Sequence, residues 1–125
     1  MKIPKGHQTI MPYLMLNGAS KFQDFTKAVF GSKETLLRLR EDGETIMHSE
    51  IQINGETIMF SEATNDWKEQ TANLFIYVND ADETFKKAVE AGAEIIMPLR
   101  TEDYGRTCGV KDPVGNTWWI TSTKE

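Results

Sequence analysis

One order of elements occurs twice in this chain, and that repetition constrains the fold more than any single motif. Read by periodicity and turn chemistry, residues 9–61 run strand, helix, strand, strand, strand, and residues 73–122 run the same way again. The punctuation corresponds as well. Leu16-Asn17-Gly18 stands against Val78-Asn79-Asp80, and Phe30-Gly31 against Ala91-Gly92, an offset of about 61 or 62 residues. Identity between the halves is weak, so the repeat rests on element order and on turn residues. The 125 residues are enough for one domain with a real core. The expectation is a single α+β domain over 1–125, made of two β-α-β-β-β modules whose sheets bury their apolar faces together.

In the first half, residues 11–16 are a short strand that Pro12 enters. Ser20 is the expected N-cap of a helix reaching about Phe30, because Phe22, Phe25, Val29 and Phe30 recur at helical spacing and Gly31 follows. Strands over 34–40, 45–53 and 56–61 are separated by Asp42-Gly43 and Asn54-Gly55, both strong hairpin dipeptides. The polar segment 62–70 reads as a linker, with Trp67 expected to pack in the core or at a partner interface. The second half opens with a strand at 73–78 and a helix from about Ala81 to Ala91, capped by Asp80 or Asp82. A strand at 94–97 is expected to break at Pro98, leaving 99–105 as a loop. A last pair of strands, 106–111 and 117–121, flanks the turn Asp112-Pro113-Val114-Gly115-Asn116. There Pro113 presets φ, Gly115 permits a positive φ, and Asp112 and Asn116 are able to bond back to the backbone.

Composition narrows the function classes. A net charge of −5 with scattered basic residues argues against nucleic acid as a partner. No apolar run approaches the roughly 20 residues of a membrane span, so no membrane partner is expected. Residues 1–6 carry Lys2 and Lys5 but no apolar core of a secretory signal. A lone cysteine, Cys108, permits no internal disulfide and fits a reducing, cytoplasmic setting.

Two β-α-β-β-β modules with a DPxGN turn before the last strand resemble the vicinal oxygen chelate superfamily of glyoxalase I, bleomycin-resistance proteins and extradiol dioxygenases. Finer segments are similar to its PhnB-like branch: Thr9 to Leu14, Phe25 to Gly31, Met47 to Ile51, Val78 to Asp82, and Gly105-Arg106 through Trp118. The resemblance implies an incomplete curved barrel with the ligand site on its concave face, and a homodimer. It also implies, for catalytic members, a divalent metal held by His and Glu. Here the matching positions are Met11, Pro12 and Tyr13 in the first opening strand, Asn73 or Leu74 in the second, and Trp119 in the closing strand, none an imidazole or carboxylate. No cofactor is therefore expected. If an ion were held at all, a rebuilt set of His48, Glu50 and Glu62 would have to supply it.

Alternation in the strand around residue 48 puts Ile46, His48, Glu50 and Gln52 on one face and Met47, Ser49, Ile51 and Ile53 on the other. A histidine beside a carboxylate is suited to acid–base work near neutral pH, which makes His48 and Glu50 the candidate catalytic pair. The bland alternative is a salt-bridge ladder on a solvated sheet face. Candidate ligand contacts are Tyr13, Arg38, Tyr77, Arg106 and Trp118. Trp118 and Trp119 must face opposite ways, so only one of them meets a ligand. The leading expectation is a metal-free protein that binds a small, partly apolar molecule in an aromatic cavity. The rivals are a lyase, isomerase or dioxygenase, using a metal or His/Glu acid–base chemistry, and an interaction protein whose cavity is filled by its own side chains.

Overall fold

The computed structural model describes residues 1–123. The chain divides into two compact units, the first ending at Thr71 and the second starting at Ala72. Each holds one β-α-β-β-β module, as the repeat predicts. Among the described residues no helix is long and apolar enough to cross a membrane.

The first unit contains β1 (Tyr13–Leu16), α1 (Ala19–Phe30), β2 (Lys33–Leu39), β3 (Ile46–Ile53) and β4 (Glu56–Glu62). The sheet order is β1-β4-β3-β2, with β1 parallel to β4 and the other pairs antiparallel. The Asn54-Gly55 turn places both residues at positive φ, 50° and 84°, the backbone that matches strand twist in a two-residue hairpin. Phe60 meets Phe22 of α1 with ring centroids 4.9 Å apart, which identifies the helix side of the sheet. Leu14 and Ser49 lie in register with Phe60, and Ile51 with Ile58, so this side carries Leu14, Leu16, Ser49, Ile51, Ile58 and Phe60. Phe22, Phe25 and Val29 close over it from α1 and are buried. Each such side chain contributes about 1.5–3 kcal/mol by leaving water.

The helix starts differently from expectation. Ser20 is not its cap; Gly18 occupies that position at φ 105° with no side chain to offer. The Glu62 carboxylate comes across from the end of β4 instead. It accepts from Gly18 N at 3.1 and 3.2 Å and from Ala19 N at 2.9 Å. A carboxylate satisfies the free N–H groups and opposes the positive end of the helix dipole at once. At the other end Gly31 adopts the left-handed conformation, and its N–H and that of Ser32 close onto Lys27 O and Thr26 O.

The second unit contains β5 (Asn73–Tyr77), α2 (Ala81–Glu90), β6 (Glu94–Glu102), β7 (Gly105–Lys111) and β8 (Thr117–Ser122), with sheet order β5-β8-β7-β6. Asp80 caps α2, accepting from Glu83 N at 3.1 Å. Pro98 does not end a strand: β6 continues through it to Glu102. Because β6 is an edge strand and its register slips between Met97 and Arg100, the missing N–H of proline costs no ladder bond there.

Arg106 and Ser122 lie opposite each other and both bond to α2 or its start, Arg106 to Asp82 and Ser122 Oγ to Ala81 N. By alternation Cys108, Val110, Trp118 and Ile120 also face α2, and all four are buried. The DPxGN turn is sealed with them. Asp112 Oδ1 accepts from Val114 N and Asn116 N, and its Oδ2 accepts from Asn116 Nδ2 and from Trp118 Nε1 at 2.9 Å. Asn116 Oδ1 in turn accepts from Ala72 N at 2.8 Å, tying the turn to the entry of β5. The local bonding expected of Asp112 is present; its bond to the Trp118 indole was not expected.

Candidate functional site

The face of the first sheet turned away from α1 carries a continuous run of polar side chains. Ser61 and Tyr13, on adjacent strands, share a 3.1 Å hydroxyl–hydroxyl hydrogen bond. The Tyr13 hydroxyl lies 3.4 Å from His48 Nδ1, with the two rings edge to face at 5.4 Å. His48 Nε2 is 2.9 Å from Glu50 Oε2. The other oxygen, Oε1, is 2.7 Å from Nε2 of His7. One carboxylate, only 9% exposed, therefore sits between two imidazoles. Burial pushes the Glu50 carboxyl up, but the hydrogen bonds from His48 and His7 outweigh that and hold it below the usual carboxylate range.

His7 reaches Glu50 because the N-terminal arm lies across this face. Gly6 O accepts from Thr57 Oγ1 and from Gln52 Nε2. Gln8 pairs with the Thr57 backbone on both sides, donating to its carbonyl at 2.8 Å and accepting from its N–H at 3.2 Å. Residue spacing carried no sign of this, since the contacts join residues more than 40 positions apart. The one hint was arithmetic: the chain has two histidines, and both are used here.

The same face borders a cavity of about 470 Å³. Its lining includes Tyr13, Ser61, Met15, Met47, Arg40 and Trp67. Segment 62–70 forms part of this wall because Gln70 pairs with Met15 through both backbone groups, at 2.8 and 3.1 Å. Trp67 is held in a tight turn by bonds between its backbone and Thr64. It is 67% exposed, which corrects the core half of the expectation for it and leaves the partner-interface half. Arg40 Nη2 donates to Glu62 O at 2.8 Å, which places its guanidinium across the end of β4.

The predicted site residues separate into two groups. Tyr13, His48 and Glu50 come together as described, and Arg38 lies directly opposite His48 in the β2–β3 ladder. Arg106 does not face a ligand cavity: it points to α2, with Nη2 3.0 Å from Asp82 Oδ1. Trp118 is likewise corrected. It is 1% exposed and bonded to Asp112, a core residue on the helix side. Its neighbour Trp119 takes the other face. Trp119 lies flat over Gly109, where an added Cβ would come within 2.4 Å of the ring, and its indole N–H donates to Asn73 Oδ1 at 2.7 Å. Alternation puts Phe75 and Tyr77 on this same face; their rings meet edge to face at 5.2 Å. Tyr77 thus belongs to an aromatic platform with Phe75 and Trp119 in the second unit.

The rebuilt metal set does not assemble. Glu62 is on the helix side of the sheet, engaged with the start of α1, while His48 and Glu50 are on the opposite side. Both imidazoles direct Nε2 at oxygens of Glu50 rather than at a shared point. Among the described residues no group of three or more His, Cys, Asp or Glu side chains is arranged to hold a metal ion.

A paired β-α-β-β-β architecture, with its candidate site on the sheet face away from the helix, defines the class that the repeat anticipated. The model of the Glyoxalase/Bleomycin resistance protein/Dioxygenase superfamily matches residues 16–120, and the chain belongs to that family. An uncharacterized protein of Mycobacterium bovis, Mb0911c, is 28% identical over 121 residues, covering 87% of this chain and 79% of its own. Among solved structures, TioX from Micromonospora sp. ML1 superposes with a TM-score of 0.77 at 22% identity, over 94% of this chain and 99% of its own. TnmS3 from Streptomyces sp. CB03234, described as an antibiotic binding protein, gives 0.72 at 14% identity, over 94% and 100%. At such identities the structures share the fold.

Proposed function

We propose that this chain binds a small, partly apolar aromatic molecule in the cavity of its first unit, without a metal ion. The observation that carries this reading is the lining: two thioethers, an indole and a phenol, with one guanidinium, two hydroxyl residues, Ser61 and Thr64, and two acidic residues, Glu62 and Asp66, around them. Such a mixture of adaptable apolar surface and a few polar groups is what a ligand site of this volume uses. The description of TnmS3 as an antibiotic binding protein supports a binding role on this fold. A fold alone fixes no function, so the reading stands on the lining.

Ligand-observed NMR with a set of aromatic fragments tests it. Fragments are expected to bind and to compete with one another. The change Trp67→Ala, at an exposed position, should weaken them about tenfold, roughly 1.4 kcal/mol, without altering the melting temperature. Absence of binding, or binding indifferent to Trp67, would remove the cavity from consideration.

We also infer that the protein is a cytoplasmic homodimer. The free, buried Cys108 suits a reducing compartment. Large exposed apolar side chains such as Phe75, Tyr77, Ile95 and Ile96 suit an interface with a second copy. Sedimentation equilibrium at micromolar concentration decides the oligomeric state, with a monomer opposing the inference.

A further inference from the structure

Three places in the chain put a side chain able to cyclise onto the backbone just before a glycine: Asn17-Gly18, Asp42-Gly43 and Asn54-Gly55. In each, the glycine nitrogen can attack the side-chain carbonyl carbon of the residue before it, because glycine has no Cβ in the way. The attack needs that N–H free to lose its proton and the side-chain carbonyl free to be attacked. The fold ties up two of the three. Gly18 N–H donates to both oxygens of Glu62, at 3.1 and 3.2 Å, and an amide anion beside a carboxylate is opposed by charge. Gly43 N–H donates to Arg40 O at 2.9 Å. The Asp42 carboxylate is engaged as well: Oδ2 accepts from Thr45 Oγ1, and Oδ1 from Glu44 N and Thr45 N at 2.9 and 2.8 Å. The Thr45 hydroxyl, with those two N–H groups, brings its pKa down to about 2, and an ionised carboxylate resists nucleophiles. At Asn54-Gly55 neither reacting group is tied. Both residues are exposed, and a Cβ at Gly55 would meet nothing within 4 Å. Among the described residues no group accepts from the Gly55 N–H or bonds to the Asn54 side chain.

We propose that Asn54 is a site of spontaneous deamidation, and that its isoaspartate product loosens the N-terminal arm. The Gly55 N–H gives its proton to solvent hydroxide. A bond forms between Gly55 N and Asn54 Cγ, and the Cγ–Nδ2 bond breaks. The amide nitrogen leaves with its electron pair and takes a proton from water, departing as ammonia. Water then opens the five-membered ring at either carbonyl, leaving aspartate or isoaspartate, and no oxidant or reductant enters. Isoaspartate routes the backbone through Cβ and so adds one atom to it. The β3–β4 loop has only two residues, both at positive φ, and that tight geometry does not fit a longer backbone. The Ile53–Glu56 pair that closes the loop is followed by Gln52–Thr57, and the side chains of Gln52 and Thr57 both donate to Gly6 O. Gln8 also bonds to Thr57, so that His7–Glu50 is the one bond from residues 6–8 to the sheet that lies away from this pair. Met1, Ile3 and Ile10 of the arm are exposed, so polar bonds near the hairpin tip fix its position. A segment fixed in this way opens when its anchor shifts.

The experiment incubates the full chain at pH 8 and 37 °C and locates converted residues by peptide mass mapping, with enzymatic isoaspartate methylation to identify the product. Asn54 is expected to convert first. Asn17 should be about tenfold slower, the factor that a hydrogen bond to a charged group is worth. In urea the two should react at similar rates. Asn17 keeping pace with Asn54 in the folded chain, or Asn54 staying intact while the unfolded chain reacts, would overturn the proposal. Glu62→Ala frees the Gly18 N–H and should raise the Asn17 rate toward that of Asn54, whose own rate should not change. No rise at Asn17 would overturn the cause assigned to its protection. For the arm, the isoaspartate form, separated by ion exchange, should be cut by trypsin after the exposed Lys5 several-fold faster than the unmodified protein. Equal rates of cutting would overturn the link between Asn54 and the arm.

Discussion

Single residues in this protein take their roles from which side of a strand they occupy. Trp118 and Trp119 are adjacent and chemically identical, yet one is sealed against Asp112 and the other lies over Gly109 on the opposite face. The Gly109 position has no room for a methyl group, so Gly109→Ala is expected to cost about 1–3 kcal/mol through displacement of Trp119, measured by urea denaturation. Cys108 faces α2 with no solvent contact, and burial pushes its thiol up to about 11. The thiolate is the reactive form, so the folded protein should resist iodoacetamide at pH 8 and become fully alkylated only when unfolded. Glu50 gives a pH dependence of definite sign. Its folded-state pKa is lowered, so the stability it contributes is present above the ordinary carboxylate value of about 4.3 and is lost as pH falls through the lower, folded value. The melting-temperature gap between wild type and Glu50→Gln should therefore close as pH falls below that ordinary value. A gap that stays open on acidification well below it would contradict the His7–Glu50–His48 arrangement.

At the scale of elements, two devices join pieces that local chemistry leaves incomplete. The start of α1 lacks a capping side chain of its own, and Glu62 supplies one from the end of β4. Glu62→Ala should cost about 1 kcal/mol and fray the first turn of α1, seen as faster amide exchange at residues 19–21. The DPxGN turn is the second device. Removal of the Asp112 carboxylate strands four buried or partly buried donors. Asp112→Ala is expected to destabilise the protein by about 3 kcal/mol or more, whereas a change at the solvent-facing Lys111 should be nearly silent. The hairpins themselves were legible from Asp42-Gly43 and Asn54-Gly55, because turn chemistry is local. The continuation of β6 through Pro98 was not, because it depends on β6 lying at the sheet edge, and strand order is a long-range property.

For the whole molecule, the repeated module and the family match point the same way. The resemblance puts the metal-binding positions of catalytic members at Met11, Pro12 or Tyr13, at Asn73 or Leu74, and at Trp119, and Tyr13, Asn73 and Trp119 have another task in this structure. Tyr13 bonds to Ser61, and Asn73 and Trp119 bond to each other. Extensive dialysis against a chelator should accordingly leave both the melting temperature and fragment binding unchanged. A drop in either on chelation, restored by one divalent ion per chain, would return the metal reading to first place.

By itself the sequence determined the order of elements, the repeat, the turns and the separation of each strand into two faces. These follow from spacing and from residues whose backbone preferences act over four or five positions. It also put His48 and Glu50 on one face, since a period of two needs only the strand. Which of the paired tryptophans is buried, why Glu62 serves a helix rather than an ion, how Arg106 turns to α2, and that His7 completes the Glu50 pair were decided only by tertiary structure. Each of these depends on contacts between segments far apart in the chain, and strand register and the path of the N-terminal arm bring those segments together. No local pattern encodes them, because the free energy that selects them comes from burial and hydrogen-bond satisfaction over a whole unit.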